Sequence, residues 1–266
     1  MKRLIACLVM VMLFIGFGKV AAAADIICWF APEWKENSAA AKKITDTLSE
    51  KSGLVIKLQI ADKYPQILDA FSAGDPCLVY AGSFVQSIIH GRGNGVPLVQ
   101  AINGKEYYGA LMLHPKGKSP KEILKNTPAA IAFAVGTSSG ESAAKAVTGG
   151  KAAVKEADHA AAANAVKAGT AKAAFVKDHW WNSNKEKFPE LEAYQVPGVS
   201  ESRNPDNVLT ASKTIQASVQ ARITEAALAS PQAFGASKMS QFNKNSLVFS
   251  VELMKKAGID PFKYTW

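Results

Sequence analysis

The sequence predicts an α/β protein built from two units, and three observations predict it. Short apolar strands alternate with amphipathic helices from Asp25 to Ala101, the alternation begins anew after Tyr107, and helical text fills the chain from Ala217 onward. Such alternation is the pattern of a parallel sheet covered by helices on both faces, with a ligand met at the carboxyl ends of the strands.

Residues 1–24 stand apart from this pattern. Lys2-Arg3, an apolar core from Leu4 to Phe17 and the run Ala21 to Ala24 read as a secretory signal peptide, cleaved after Ala24 so that the mature chain begins at Asp25. Leu4-Ile5-Ala6-Cys7 has the look of a lipoprotein box but precedes most of the apolar core, so Cys7 is not expected to carry a lipid.

In the first unit, Asp25–Ala31 is a strand followed by Pro32-Glu33-Trp34, and Ser38–Lys51 is a helix with Ile44 and Leu48 on one face, stopped at Gly53. Leu54–Ile60 is the next strand. Tyr64–Ser72 is a helix with Pro65 in its first turn and Gly74 after its end, Cys77–Ala81 a strand, Ser83–His90 a helix and Pro97–Ala101 a strand. The loops after Ala31, Ile60 and Ala81 are then expected to share one rim and to present Trp34, Tyr64 and Ser83-Phe84.

The second unit opens with a strand at Tyr107–His114, a short helix at Lys121–Leu124 and a strand at Ala130–Val135. A helix follows from Thr137, another fits Asp158–Ala168 with Asp158 as its cap, and Ala173–Val176 is a strand leading into Asp178-His179-Trp180-Trp181. Gln195–Thr210, with Pro197, Gly198 and Pro205, is the return connection. Helices are expected at Ala217–Ala229, Pro231–Phe242 and Ser246–Lys256, packed back on the first unit.

The most informative segment is Gly136-Thr137-Ser138-Ser139-Gly140, which joins the strand at Ala130–Val135 to an alanine-rich helix. Free N–H groups in the first turn, the positive end of the helix dipole and three hydroxyls together favour an oxyanion such as phosphate, phosphonate or carboxylate. The same residues also read as an ordinary Ser/Thr cap with no ligand.

Composition narrows the functional classes. The chain has 31 Lys and Arg against 22 Asp and Glu, a net charge of +9, and loss of Lys2, Arg3 and Lys19 with the leader leaves the 242 mature residues at +6. The basic residues are scattered, so nucleic acid is not an expected partner, and after the leader no apolar run approaches the roughly 18 residues that span a bilayer. Cys28 and Cys77 are too few for a disulfide framework; they read as buried apolar residues, with a single disulfide as the alternative in an exported protein. The four histidines show no paired spacing, which leaves no metal or other cofactor expected.

In its order of elements and in several segments, the chain resembles the phosphate/phosphite/phosphonate-binding proteins of bacterial ABC importers. The segments are Tyr64–Gly74, Ser83-Phe84-Val85, Pro97–Gly109, Gly136–Gly140 and Asn204-Pro205-Asp206-Asn207. The resemblance covers nearly all of the mature chain. It implies a two-lobed type II periplasmic binding protein fold, with two crossover hinge strands and a ligand cleft between lobes. Lobe 1 is expected over 25–107, lobe 2 over 108–197 and a return to lobe 1 over 198–266, with hinges near Lys105–Gly109 and Gln195–Asn204.

The resemblance further implies that Thr137, Ser138 and Ser139 hold phosphorus oxygens, that Tyr64 and the position of Phe84 contribute from the first lobe, and that Asp178 and His179 stand near the substituent on phosphorus. With Trp34, Ser83 and Trp180 from the rims, these are the candidate ligand-binding residues. The expected role is a monomeric periplasmic solute-binding protein that hands a small ligand to an ABC permease. Three departures from the family pattern qualify the ligand. Phe84 stands where the family has a tyrosine, Pro76-Cys77 stand where it commonly has an aspartate opening the third strand, and Lys172 replaces an acid before the second-lobe strand. With the rim aromatics, these departures keep open a fold retuned to a larger aromatic or lipid-like ligand. An enzyme is the third reading and the poorest, since no nucleophile elbow, metalloprotease pair or phosphate-binding lysine loop occurs.

Overall fold

The structure, a computed structural model, describes residues 25–266, so the expected signal peptide lies outside the described residues. Strands β1 (Ile26–Phe30), β2 (Ile56–Ile60), β3 (Cys77–Ala81) and β4 (Gly95–Ile102) are interleaved with helices α1 (Ser38–Ser52), α2 (Tyr64–Ala73) and α3 (Ser83–Gly91). After β5 (Tyr107–Tyr108) come β6 (Ala110–Pro115), α4 (Pro120–Asn126), β7 (Ile131–Ala134) and a helix that is continuous from Ser138, first as a π turn and then as α5 (Ala143–Thr148). Then follow β8 (Val154–Glu156), α6 (His159–Lys167), β9 (Ala173–Lys177), α7 (Asp178–Asn184) and β10 (Leu191–Tyr194). β11 (Asn204–Pro205), β12 (Val208–Ser212), α8 (Ala217–Leu228), β13 (Lys238–Gln241) and α9 (Val248–Lys256) complete the order.

Two sheets form the two lobes. One has the order β13-β4-β12-β3-β1-β2 and the other β10-β6-β9-β7-β8. The parallel sheets expected from the strand–helix alternation are mixed instead: β12 runs antiparallel to both β3 and β4, and β6 antiparallel to β9. The cause is connectivity. A strand that returns from the other lobe enters from the opposite end of the sheet, so it pairs antiparallel, whereas each strand–helix–strand unit keeps its direction. Between the sheets, β5 and β11 pair with each other antiparallel, Asn204 opposite Tyr108, where the two crossovers pass side by side.

Packing follows the period-2 and 3.6 patterns. On one face of the first sheet Ile26, Cys28 and Phe30 meet Ile44 and Leu48 of α1 and Ile223 and Ala227 of α8; on the other, Val79 and Ala81 meet Phe71 of α2 and Ile88 of α3. Cys77 lies opposite Ile27 in the β1–β3 register, one residue out of step with Cys28. The two cysteines therefore face opposite sides, and both are buried free thiols, which overturns the disulfide alternative. In the second lobe Ala162, Ala163 and Val166 of α6 cover one face and Ala143 and Ala144 of α5 the other.

Three expected elements are corrected. The helix expected over Pro231–Phe242 is a short 3-10 turn at Pro231–Phe234 followed by β13, an edge strand on β4. Asp178 to Trp181 lie in α7, because the strand ends at Lys177. The last helix, α9, buries Phe249 and Leu253 against α5 of the second lobe and Met254 against the first, so it spans both lobes and does not pack on the first alone.

Candidate functional site

A cavity of about 230 Å³ lies between the lobes, where the loops after β1, β3 and β7 and the crossovers converge. Six of the candidate residues line it: Tyr64, Ser83, Phe84, Thr137, Ser138 and Ser139. Glu33, Tyr108, Gly136, His159, Lys177, Asp206 and Asn207 line it as well.

The floor is the helix start after β7. Gly136 turns the chain at φ +75°, and Thr137 then sits in extended conformation as the N-cap. Its Oγ1 accepts from the Gly140 N–H (3.0 Å) and donates to the Ala134 carbonyl (2.9 Å), so this hydroxyl builds the turn. The N–H groups of Ser138 and Ser139 occupy first-turn positions that no preceding helical carbonyl can reach. Beneath them, the buried Glu141 carboxylate accepts from the Gly136 N–H (2.9 Å), Lys145 Nζ (2.6 Å) and the Tyr264 hydroxyl (2.7 Å), which fixes the turn from behind. The Lys145 ion pair offsets the cost of burying that carboxylate.

Across the cleft stands Ser83, the first residue of α3. Its Oγ donates to Ser138 Oγ at 2.8 Å and lies 2.8 Å from the Tyr108 hydroxyl, a chain of hydroxyls linking the first lobe, a crossover and the second lobe. All of Ser83, Ser138 and Ser139 are almost wholly buried. Tyr108 is buried too, and the loss of solvent pushes its phenol well above the usual range, so it stays a neutral donor.

Charged groups occupy the far side. Lys177 Nζ, at the end of β9, pairs with Asp206 Oδ1 at 2.8 Å and lies over the Tyr108 ring, 4.3 Å from its centroid. His159, the first residue of α6, has an unpartnered buried Nδ1, and burial reinforced by the nearby Lys177 charge lowers its pKa from 6.5 to about 4. Its imidazole is neutral near pH 7. On the rim the Tyr64 hydroxyl donates to the Glu33 carboxylate, with oxygens at 3.0 and 2.9 Å.

Four candidates stand outside the cavity lining. Trp34 turns inward from the 3-10 turn after β1 and packs edge-on against Phe30 and Tyr80, with ring centroids 5.1 and 5.7 Å away; its neighbour Glu33 takes the rim position. Asp178 accepts from the His179 N–H (2.7 Å) at the start of α7, and His179 Nε2 is buried without a partner. Trp180 lies between His159 and Phe188, behind the lining. The lining residues missed in the sequence include three with a visible signal: Tyr108 lies within the family-like segment Pro97–Gly109, and Asp206 and Asn207 end the family-like segment Asn204-Pro205-Asp206-Asn207. Glu33, His159 and Lys177 carried none. Among the described residues no group of three or more His, Cys, Asp or Glu side chains converges to hold a metal, and no helix is long and apolar enough to cross a membrane.

Residues 33–248 match the family described as ABC transporter, phosphonate, periplasmic substrate-binding protein. The chain belongs to this family. Its members are substrate-binding components of transporters that work with a membrane permease, not enzymes, and this one is therefore a periplasmic binding protein. Among solved structures it is similar to a Xanthomonas citri protein bound to ATP, with TM-score 0.71 and 12% identity over 89% of this chain and 98% of that one. It is also similar to PhnD1 of Prochlorococcus marinus in complex with methylphosphonate (TM-score 0.68, 14% identity, 88% and 98% covered). A binding component of a phosphonate transporter from Pseudomonas aeruginosa gives TM-score 0.67 and 15% identity, with 88% and 87% covered. At these identities the structural likeness establishes the two-lobed fold. No curated protein matches the sequence.

Proposed function

We propose that this binding protein is exported by a cleavable leader, captures a small phosphorus oxyanion (phosphonate, phosphite or phosphate) between its lobes as a monomer, and delivers it to the permease of an ABC importer. The hydrogen bond from Ser83 to Ser138 across the cleft carries the reading. It brings hydroxyls of both lobes to the first-turn N–H groups of one helix, where an anion gains charge-assisted hydrogen bonds from each side. A ligand held there is shared by the lobes, so binding and closure are one event.

Size supports a small ligand over an aromatic or lipid-like one. The cavity of about 230 Å³ falls below the roughly 300–1,000 Å³ of pockets that enclose drug-sized molecules. Calorimetry with phosphate, phosphite, methylphosphonate, sulfate and acetate tests the reading: a phosphorus anion is expected to bind best. Ser138→Ala/Ser139→Ala is expected to weaken that binding by several kcal/mol, at roughly 1.5–3 kcal/mol for each hydrogen bond to a charged group. Binding of an aromatic or lipid panel in preference to every phosphorus anion would overturn it. Mass spectrometry of the native protein, expected to start at Asp25 without lipid, tests the leader.

A further inference from the structure

Lys177 brings an ammonium group into a cavity built to receive an anion, and the position of that ammonium restricts what else the ligand can carry. Its Nζ is held 2.8 Å from Asp206 Oδ1, and the same oxygen accepts from the Asn207 N–H at 2.9 Å. The Tyr108 ring lies beneath it at 4.3 Å, a cation–π contact that keeps the ammonium in the cavity wall. The other acid on the lining, Glu33, sits at the rim with both oxygens facing the Tyr64 hydroxyl. His159 beside Lys177 offers a neutral ring.

These contacts decide a question that the oxyanion reading leaves open, namely the charge of the group attached to phosphorus. A ligand ammonium on this side would need a carboxylate, and the nearest one is already neutralised by the protein's own cation. It would also meet Lys177 as a like charge within a few ångströms, and the Lys177–Asp206 pair, about a quarter exposed, is only partly screened by solvent. A hydrogen, methyl or other uncharged substituent meets neither penalty. Selectivity of this kind works by a repulsive element built against the wrong ligand.

We propose that Lys177 is a specificity-determining residue, a resident cation that admits phosphorus oxyanions with uncharged substituents and rejects aminoalkylphosphonates. The proposal rests on the oxyanion reading and goes beyond it. Calorimetric titration of the full mature chain with methylphosphonate and with 2-aminoethylphosphonate, both near pH 7.5, tests it. The unmodified protein is expected to bind methylphosphonate at least about tenfold more tightly, the factor that a modest like-charge repulsion supplies. In Lys177→Gln, which frees the Asp206 carboxylate, the ratio is expected to narrow or reverse. Lys177→Arg keeps the charge and is expected to keep the preference, so the test survives if the glutamine variant does not fold. Equal affinities in the unmodified protein, an unchanged ratio in Lys177→Gln or a lost preference in Lys177→Arg would each overturn the proposal while leaving the oxyanion reading intact. Failure to bind phosphate, phosphite and both phosphonates would overturn the two together.

Discussion

The indole of Trp266 lies flat on the ring of Tyr64, with centroids 4.9 Å apart and planes 10° from parallel. Trp266 also meets Phe84 edge-on at 5.9 Å, and a Cβ on Gly136 would stand 2.7 Å from its Nε1. Residues of both lobes thus share one aromatic neighbour. Nearby, Arg92 of the first lobe donates to the carbonyls of Pro261 and Tyr264 (2.9 and 3.0 Å), while Tyr264 itself donates to Glu141 of the second. Segment 260–266 crosses the cleft and backs the wall formed by Tyr64 and Phe84.

Trp266→Ala removes the stack and part of an aromatic cluster that is half-buried. The expected cost is about 2 kcal/mol, below the 3–5 kcal/mol of a fully buried tryptophan and above the value of a single aromatic pair. Urea unfolding followed by circular dichroism measures it; an unchanged midpoint would show that the segment packs without contributing.

Gly140→Ala probes the helix start. An added Cβ would stand 2.4 Å from Thr137 Oγ1 and 2.8 Å from the Ala134 carbonyl oxygen, both fixed parts of the capped turn. Relief requires the cap to move, at a cost of about 1–3 kcal/mol typical of overpacking. Loss of anion binding in a still-folded Gly140→Ala protein is the expected result, and calorimetry alongside thermal melting separates the two effects.

A third expectation concerns acid. His159 has a folded pKa of about 4 against 6.5 for the free side chain, so between these values the unfolded chain binds a proton that the folded one refuses. The contribution of the neutral ring to stability is whole above pH 6.5, declines as pH falls toward 4 and flattens below. The interval corresponds to at most about 3 kcal/mol. Denaturation midpoints of the unmodified protein and His159→Gln, compared from pH 7 to pH 4, should converge as the pH drops; parallel curves would rule the histidine out.

Thiol chemistry supplies a fourth. Cys28 is fully buried and Cys77 nearly so, and loss of solvent pushes the Cys77 thiol up to about 12 and that of Cys28 higher still. The folded mature chain, from Asp25 onward, is expected to resist alkylation near pH 8 and to take up two labels, on Cys28 and Cys77, only after denaturation. Rapid labelling of the native chain would contradict the packing.

Some residues of the candidate site were readable because their geometry is local. Ser83 begins a helix directly after a strand, and Thr137 to Ser139 follow a glycine turn with the hydroxyls that cap helices. Both positions follow from a few adjacent residues. Trp34 shows how narrow that legibility is. The 3-10 turn begun by Pro32 rotates the chain so that Trp34, half-buried, packs against the core beside Phe30 and Tyr80, while Glu33 reaches the rim. A loop of unspecified conformation hides a shift of one residue. β13, with the text Lys-Met-Ser-Gln, has too little apolar alternation to announce a strand; pairing with β4 makes it one.

By itself the sequence determined the two α/β units, the helix start at Thr137 and the buried faces of α1 and α2, because strand and helix periods and turn chemistry act over a few residues. Only the tertiary structure decided the mixed sheets, the separation of Cys28 from Cys77, and the meeting of Ser83, Tyr108, Lys177 and Asp206. Those four residues come from different parts of the chain, and whether their side chains touch depends on the crossings of β5 and β11 and on how the two lobes meet. No local propensity encodes that geometry; the burial of both lobes against shared segments sets it.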